Sequence, residues 1–221
     1  MDITLTRGKG GSQARGGSLP DLAAHRRAVE TLVTTLRAHR NWYLDLANEH
    51  DVQDERYVSD AELKTLREEV RRLDPERLVT ASFGGHDLGA AEIRESVKTI
   101  GLDFLCPHRP RDHESPGQTE AKTRALLASM KDTGRIVPVL YQEPFRRGYG
   151  AWQPMADDFL ADLRGAVAGS AAGWCFHNGS QRDAVENRPT RSFDLRRARL
   201  FDQLDAQERR VVDDAARNVA K

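Results

Sequence analysis

The 221 residues predict an α/β chain, a (β/α) barrel of the TIM type with six of its eight strands visible. Three observations carry this. Strand-like and helix-like segments alternate along the chain without a break, which implies a parallel sheet. Several apolar strand-like runs stop abruptly at ionisable or amide residues, as barrel strands do where they open onto a site. A length of 221 residues suits one large domain or two small ones, and it falls short of the roughly 250 of a complete barrel. Two strand-helix units are therefore expected to be missing from the front.

Ile3 to Thr6 alternates β-branched residues and reads as the first strand. It runs into RGKGGSQARGGSLPD, whose GKGGS lacks the four-residue gap of a phosphate-binding P-loop; a flexible connection to a helix is expected. Ser18 as a cap and Pro20 in the first turn open that helix, which runs to about His39 with Leu22, Val29, Leu32, Val33 and Leu36 at helical spacing. Trp42 to Ala47 is the second strand and ends on Asn48, Glu49, His50 and Asp51. Ser59 to Leu73 is a helix with Leu63, Leu66, Val70 and Leu73 on one face, closed by Asp74-Pro75. A strand from Arg77 to Phe83 precedes Gly84, Gly85, His86 and Asp87, and a helix follows from about Leu88 to Ile100. The strand LDFLC ends at Pro107, His108 and Arg109, and a helix spans about Thr119 to Lys131. Ile136 to Tyr141 is a strand running into Gln142, Glu143 and Pro144. The loop PFRRGYGAWQP leads to a helix from about Met155 to Val167 and to a last strand from Ala171. Residues 1–186 thus read as a partial barrel carrying the catalytic site. Residues 187–221 read as a polar C-terminal helical tail, in which Leu200, Leu204, Val211 and Val212 can pack onto the domain.

Composition narrows the function. With 34 basic and 34 acidic residues the net charge is zero, so neither nucleic acid nor an anionic membrane is an expected partner. Charged residues reach 31% and hydrophobic ones 38%, a wet surface around a lean core. Cys106 and Cys175 have neither metal nor redox spacing and sit in apolar runs; both are expected to be buried thiols. No apolar run approaches the ~20 residues of a membrane span. MDITLTRGKGG lacks the pattern of a secretion signal, although a full-length relative with a longer front could be secreted.

The chemistry is expected at two glutamates, Glu49 and Glu143, each ending a strand. Residues two apart on a strand share a face, which groups Tyr43, Asp45, Ala47 and Glu49, and likewise Val137, Val139, Tyr141 and Glu143. If both faces point inward, the two carboxylates meet at the barrel rim. A pair about 5–5.5 Å apart is what a retaining glycosidase uses, one as nucleophile and one as proton donor. Repulsion and burial would raise the donor's pKa. Plainer readings stand beside these. Glu49 could favour a helix dipole, Glu143 could pair with Arg146 or Arg147, and Trp174 could be core. His86, Asp87, His108, His113 and His177 all follow strands, but no HxH or HExxH spacing marks a metal site, so neither metal nor cofactor is expected.

Asn48-Glu49 at one strand end, Glu143 three strands later and Trp174 in the last strand resemble the clan A glycoside hydrolases, the cellulase-like family with a (β/α)₈ barrel. The resemblance covers roughly Ile3 to Gly179. It implies that Glu49 is the acid/base, Glu143 the nucleophile, Asn48 a donor to the sugar 2-hydroxyl and Trp174 a platform beneath the ring. Numbered by the family, the first visible strand is the third of the barrel. The arginine that the clan keeps at the end of strand two is then missing, His108 falls near strand six, and Pro144 follows the nucleophile. Tyr141 and, in the loop after Glu143, Trp152 and Tyr149 join the substrate-binding candidates. The expected activity is retaining hydrolysis of a β-linked oligo- or polysaccharide. The alternative is an inactive or carbohydrate-binding remnant, whose open sheet edges would favour self-association; a metal-dependent hydrolase built on the histidines ranks third.

Overall fold

The computed structural model describes residues 1–5, 19–52, 56–147, 151–177 and 193–219. The glycine-rich loop with GKGGS and Ser18, and also Tyr149, lie outside these residues. Helices alternate with short strands, and every strand pairing is parallel, as the alternation predicts. Among the described residues the pairings fall into three small sheets rather than one closed ring. The described residues form two compact units.

The first unit comprises Met1–His108 and Leu126–Val139. Its strands β1 (Asp2–Thr4), β2 (Tyr43–Asp45) and β3 (Val79–Thr80) form one sheet in that order. β4 (Ser82–Phe83) pairs with β5 (Cys106–Pro107) in another, and Leu105 bridges Val139 in parallel. The single strand expected from Arg77 to Phe83 is therefore divided at Ala81, between residues that serve two sheets. Helix α1 (Leu22–Thr35) is capped by Asp21, whose carboxylate accepts from the Ala24 N–H at 2.7 Å, in place of the expected Ser18. It ends about a turn before His39. Its buried stripe is His25, Val29 and Val33, four residues apart as a helix requires. Helix α2 (Asp60–Leu73) begins with a capping box: the Glu62 N–H donates to Ser59 Oγ at 3.3 Å, and the Ser59 N–H to Glu62 Oε2 at 3.1 Å. It buries Leu63, Leu66 and Val70.

Between these helices and the sheet the chain is tied by Arg77, which is 2% exposed. Its guanidinium meets Asp74 at 2.9 Å, donates to the carbonyls of Trp42 and His39 at 2.9 and 2.8 Å, and lies 3.8 Å from the centroid of a Trp42 ring. The helix expected up to Ile100 is α3 (Ala90–Arg94) followed by a π-helical turn, Glu95–Ile100. Gly101 leaves that turn at φ 81°, a conformation that a side chain would strain.

The second unit comprises Arg109–Ala125 and Leu140–Lys221. Helix α4 (Ser115–Lys131) gives its first part to this unit and its last to the other. Strands β6 (Leu140–Tyr141) and β7 (Gly173–Trp174) pair. Helix α5 (Ala156–Ala168) approaches α4 closely, because a Cβ at Gly165 would stand 3.0 Å from Thr119 Cβ and from the Glu120 backbone. After a 3₁₀ turn, Leu200–Gln203, helix α6 (Ala206–Val219) packs on α5. Val211 joins Phe145, Ala156 and Phe159 in a small core. Cys106 is buried but Cys175 is exposed: β7 ends at Trp174, so Cys175 falls just past the covered strand. Among the described residues, no helix is long and apolar enough to cross a membrane.

Candidate functional site

Glu49 belongs to the first unit, four residues beyond Asp45, the last paired position of β2. The strand alternation proposed to aim it stops at Asp45, and Glu49 itself has φ 47°, a strained conformation for a glutamate. What holds it there is a set of backbone ties. The Glu49 N–H donates to Ser82 Oγ at 3.0 Å, and the His50 N–H to the Ser82 carbonyl at 3.0 Å. Fully buried Asp45 accepts from the N–H groups of Ala47 and Ser82 at 3.1 and 3.2 Å, and burial pushes its carboxyl above the usual range. His25, buried on α1, bonds through Nε2 to the Leu46 carbonyl at 2.7 Å; burial pushes this imidazole down, so its neutral form donates here.

This scaffold places the Glu49 carboxylate 3.1 Å from Nδ1 of fully buried His108. The structure thus brings together two of the residues singled out in the sequence, with Asn48 anchored alongside through its N–H to the Leu5 carbonyl at 3.1 Å. Asp45 and His25 were not among the sequence candidates as supports. The signal for His25 was its place in the i, i+4, i+8 row with Val29 and Val33, where a histidine interrupts an apolar stripe.

Glu143 belongs to the second unit, two residues past the end of β6. Its Oε1 accepts from Arg111 Nη2 at 3.0 Å, with Arg146 at 3.9 Å and His177 Nε2 at 3.6 Å. Of the two arginines proposed as ion-pair partners, Arg146 is near, whereas Arg147 pairs with Asp205. Arg111, from the segment after His108, was not among the sequence candidates and makes the shortest of these contacts. The His177 ring is pushed down to about 4, first by burial and then by the Arg146 and Arg111 charges, against the opposing pull of Glu143 and of the Pro144 carbonyl. Neutral His177 donates from Nδ1 to that carbonyl at 3.1 Å and accepts from Arg146 at Nε2, 3.3 Å away.

The other aromatic candidates divide. Trp152 is half-buried against Phe145, with ring centroids 4.8 Å apart. Tyr141 is 2% exposed and its hydroxyl is bonded to Thr123 of α4 at 2.6 Å. Trp174 donates its indole N–H to Asp162 of α5 at 2.6 Å and stacks on Phe176. Asp162, 4% exposed, also accepts from Thr119; burial holds its carboxyl above the usual range. Tyr141 and Trp174 each bond to a helix beside their strand, α4 and α5 respectively.

No protein-family description and no curated protein matches the sequence. Solved structures do. An endo-1,4-β-mannanase from Rhizomucor miehei superposes with a TM-score of 0.56 and 14% identity, over 90% of this chain and 61% of that one. A GH39 β-xylosidase from Caulobacter crescentus gives 0.49 and 17%, over 72% and 39%. A thiamine phosphate pyrophosphorylase from Pyrococcus furiosus gives 0.38 and 12%, over 99% and 84%. Identities this low speak to fold alone, and the mannanase carries that likeness: the chain has a glycosidase-like α/β fold. It spans 61% of the mannanase's length.

Proposed function

We propose that the protein is a retaining glycoside hydrolase acting on a β-linked oligo- or polysaccharide, with Glu143 as nucleophile and Glu49 as acid/base. One observation supports it above the others. Both glutamates follow the carboxyl ends of parallel strands, and each is oriented by a basic partner, His108 for Glu49 and Arg111 for Glu143. In this reading the Glu143 carboxylate attacks the anomeric carbon while Glu49 gives its proton to the departing oxygen. Glu49 then takes a proton from the water that releases the sugar, so the anomeric configuration is kept. Arg111 and neutral His177 position Glu143 without supplying a proton. Asn48 and Trp152 are the residues proposed to contact the sugar, buried His108 acts through Glu49, and no cofactor is required.

The test is hydrolysis of a panel of aryl β-mannosides, β-glucosides and β-xylosides by the whole chain. Glu143→Gln should abolish turnover. Glu49→Ala should lose about 10²–10⁴-fold on poor leaving groups but keep activity on dinitrophenyl glycosides, with azide restoring turnover as a β-glycosyl azide. A Glu143→Gln protein as fast as the parent would refute the assignment. A parent that binds oligosaccharide but cleaves none of the panel would favour a binding module.

A further inference from the structure

We propose that Arg109 is a positioning residue for Glu143: its buried guanidinium fixes the loop from Arg109 to Ser115, and with it the aim of Arg111 at the Glu143 carboxylate. The inference rests on the reading of Glu143 as nucleophile. All the residues involved belong to the second unit.

A guanidinium is costly to bury unless its charge and donors are satisfied, yet Arg109 is only 6% exposed. Its Nη1 donates to Thr119 Oγ1 at 2.6 Å and to the Ser115 carbonyl at 3.2 Å. Thr119 is fully buried and directs its own hydroxyl hydrogen at Asp162 Oδ1, while Asp162 Oδ2 takes the Trp174 indole N–H at 2.6 Å. A buried cation and a buried carboxylate are thus joined through one hydroxyl. Burial pushes the Asp162 carboxyl up, and the Arg109 charge opposes this. Helices α4 and α5 come close enough for the chain of contacts because residue 165 is glycine: a Cβ there would stand 3.0 Å from Thr119 Cβ.

Arg109 also closes the loop between β5 and α4, since its side chain grips the carbonyl of Ser115 at the start of that helix. Inside this ring Ser115 Oγ donates to the Pro110 carbonyl, and Asp112 Oδ1 accepts from the N–H groups of Glu114 and Ser115 at 2.9 and 3.0 Å. Arg111 lies between these anchors, and its Nη2 reaches Glu143 Oε1 at 3.0 Å. An arginine–carboxylate contact by itself does little to hold two flexible side chains, so the backbone beneath Arg111 decides its aim. Releasing Arg109 frees that backbone, and a misplacement of about 1 Å at a reacting group can cost about 10²-fold in rate.

The competing description is a stabilising contact that leaves Arg111 where it is. Arg109→Gln and Thr119→Val separate the two, with Thr119→Ser as the variant that keeps the hydroxyl; circular dichroism checks folding. Crystal structures of the first two should show Arg111 Nη2 moved beyond about 4 Å from Glu143, whereas Thr119→Ser should retain the contact. The His177 imidazole is held low first by burial and then by the Arg146 and Arg111 charges, against the pull of Glu143. It should titrate at higher pH in Arg109→Gln and Thr119→Val than in the parent. In the same two variants kcat on an aryl glycoside should fall at least about tenfold, with KM within about twofold of the parent. Arg111 retaining its contact in both variants, or an unmoved His177 titration, overturns the proposal whatever stability is lost, as does a kcat that survives loss of the contact. A parent that cleaves no aryl glycoside overturns the nucleophile assignment instead, and the Arg111–Glu143 distance in the variants still decides what Arg109 does.

Discussion

The His177 imidazole should titrate far below the ordinary histidine range, and its protonation should destabilise the unit that holds it. The ring falls from about 6.5 in the unfolded chain to about 4 in the folded one. In that interval the unfolded chain binds the extra proton, so stability rises with pH. The contribution is complete above roughly pH 6.5 and is lost as pH falls toward 4. At about 1.36 kcal/mol per unit, the interval corresponds to at most about 3–3.5 kcal/mol. The side chain is only 18% exposed, so solvent screening removes little of this, although Glu143 beside it can absorb part of the proton's cost. Two measurements check it. Imidazole ¹³C–¹H spectra across pH 3.5–8, assigned with His177→Gln, should show one ring with a midpoint well below 6. Urea unfolding at pH 7.5 and 4.5 should show a smaller acid-induced loss in His177→Gln than in the parent. A His177 midpoint at or above 6.5, or identical acid losses in the two proteins, would refute the reasoning.

Two further outcomes follow from buried polar contacts. Arg77→Met should destabilise the first unit by about 3–5 kcal/mol in urea unfolding, because Asp74, while buried, would keep Arg40 alone as a cationic partner among the described residues. Trp174→Phe keeps the aromatic plane but removes the N–H that Asp162 accepts. It should cost about 1–3 kcal/mol of stability and leave the KM for any substrate unchanged; the reverse pattern would return Trp174 to a sugar-stacking role.

How far the sequence could be read depended on the range of the forces involved. Helix α2 was legible to within a residue because its capping box and its Leu63, Leu66, Val70 stripe are local, as was the parallel pairing implied by alternation. Strand limits were not, since pairing depends on partners far along the chain. Thus Arg77 to Phe83 looked continuous but serves two sheets, and the turn at Glu49 breaks the alternation meant to aim it. Glu49 and His108 stood out as polar residues after strands. Arg111 did not, because one arginine among the charged residues of CPHRPRDH carries no local mark of its distant partner. The hydrogen bonds of Tyr141 to Thr123 and of Trp174 to Asp162 were illegible for a related reason: the side of a two-residue strand that faces a helix is set by that helix.

Because α4 passes from one compact unit to the other, neither unit is a continuous stretch of chain. A fragment stopped at His108 would forfeit Met130, Val137 and Val139, all buried, along with the Leu105 bridge to Val139. No single cut of the polypeptide yields two complete halves. Gene fragments, limited digestion or domain-exchange chimeras that sever the chain once therefore leave at least one half without part of its own interior.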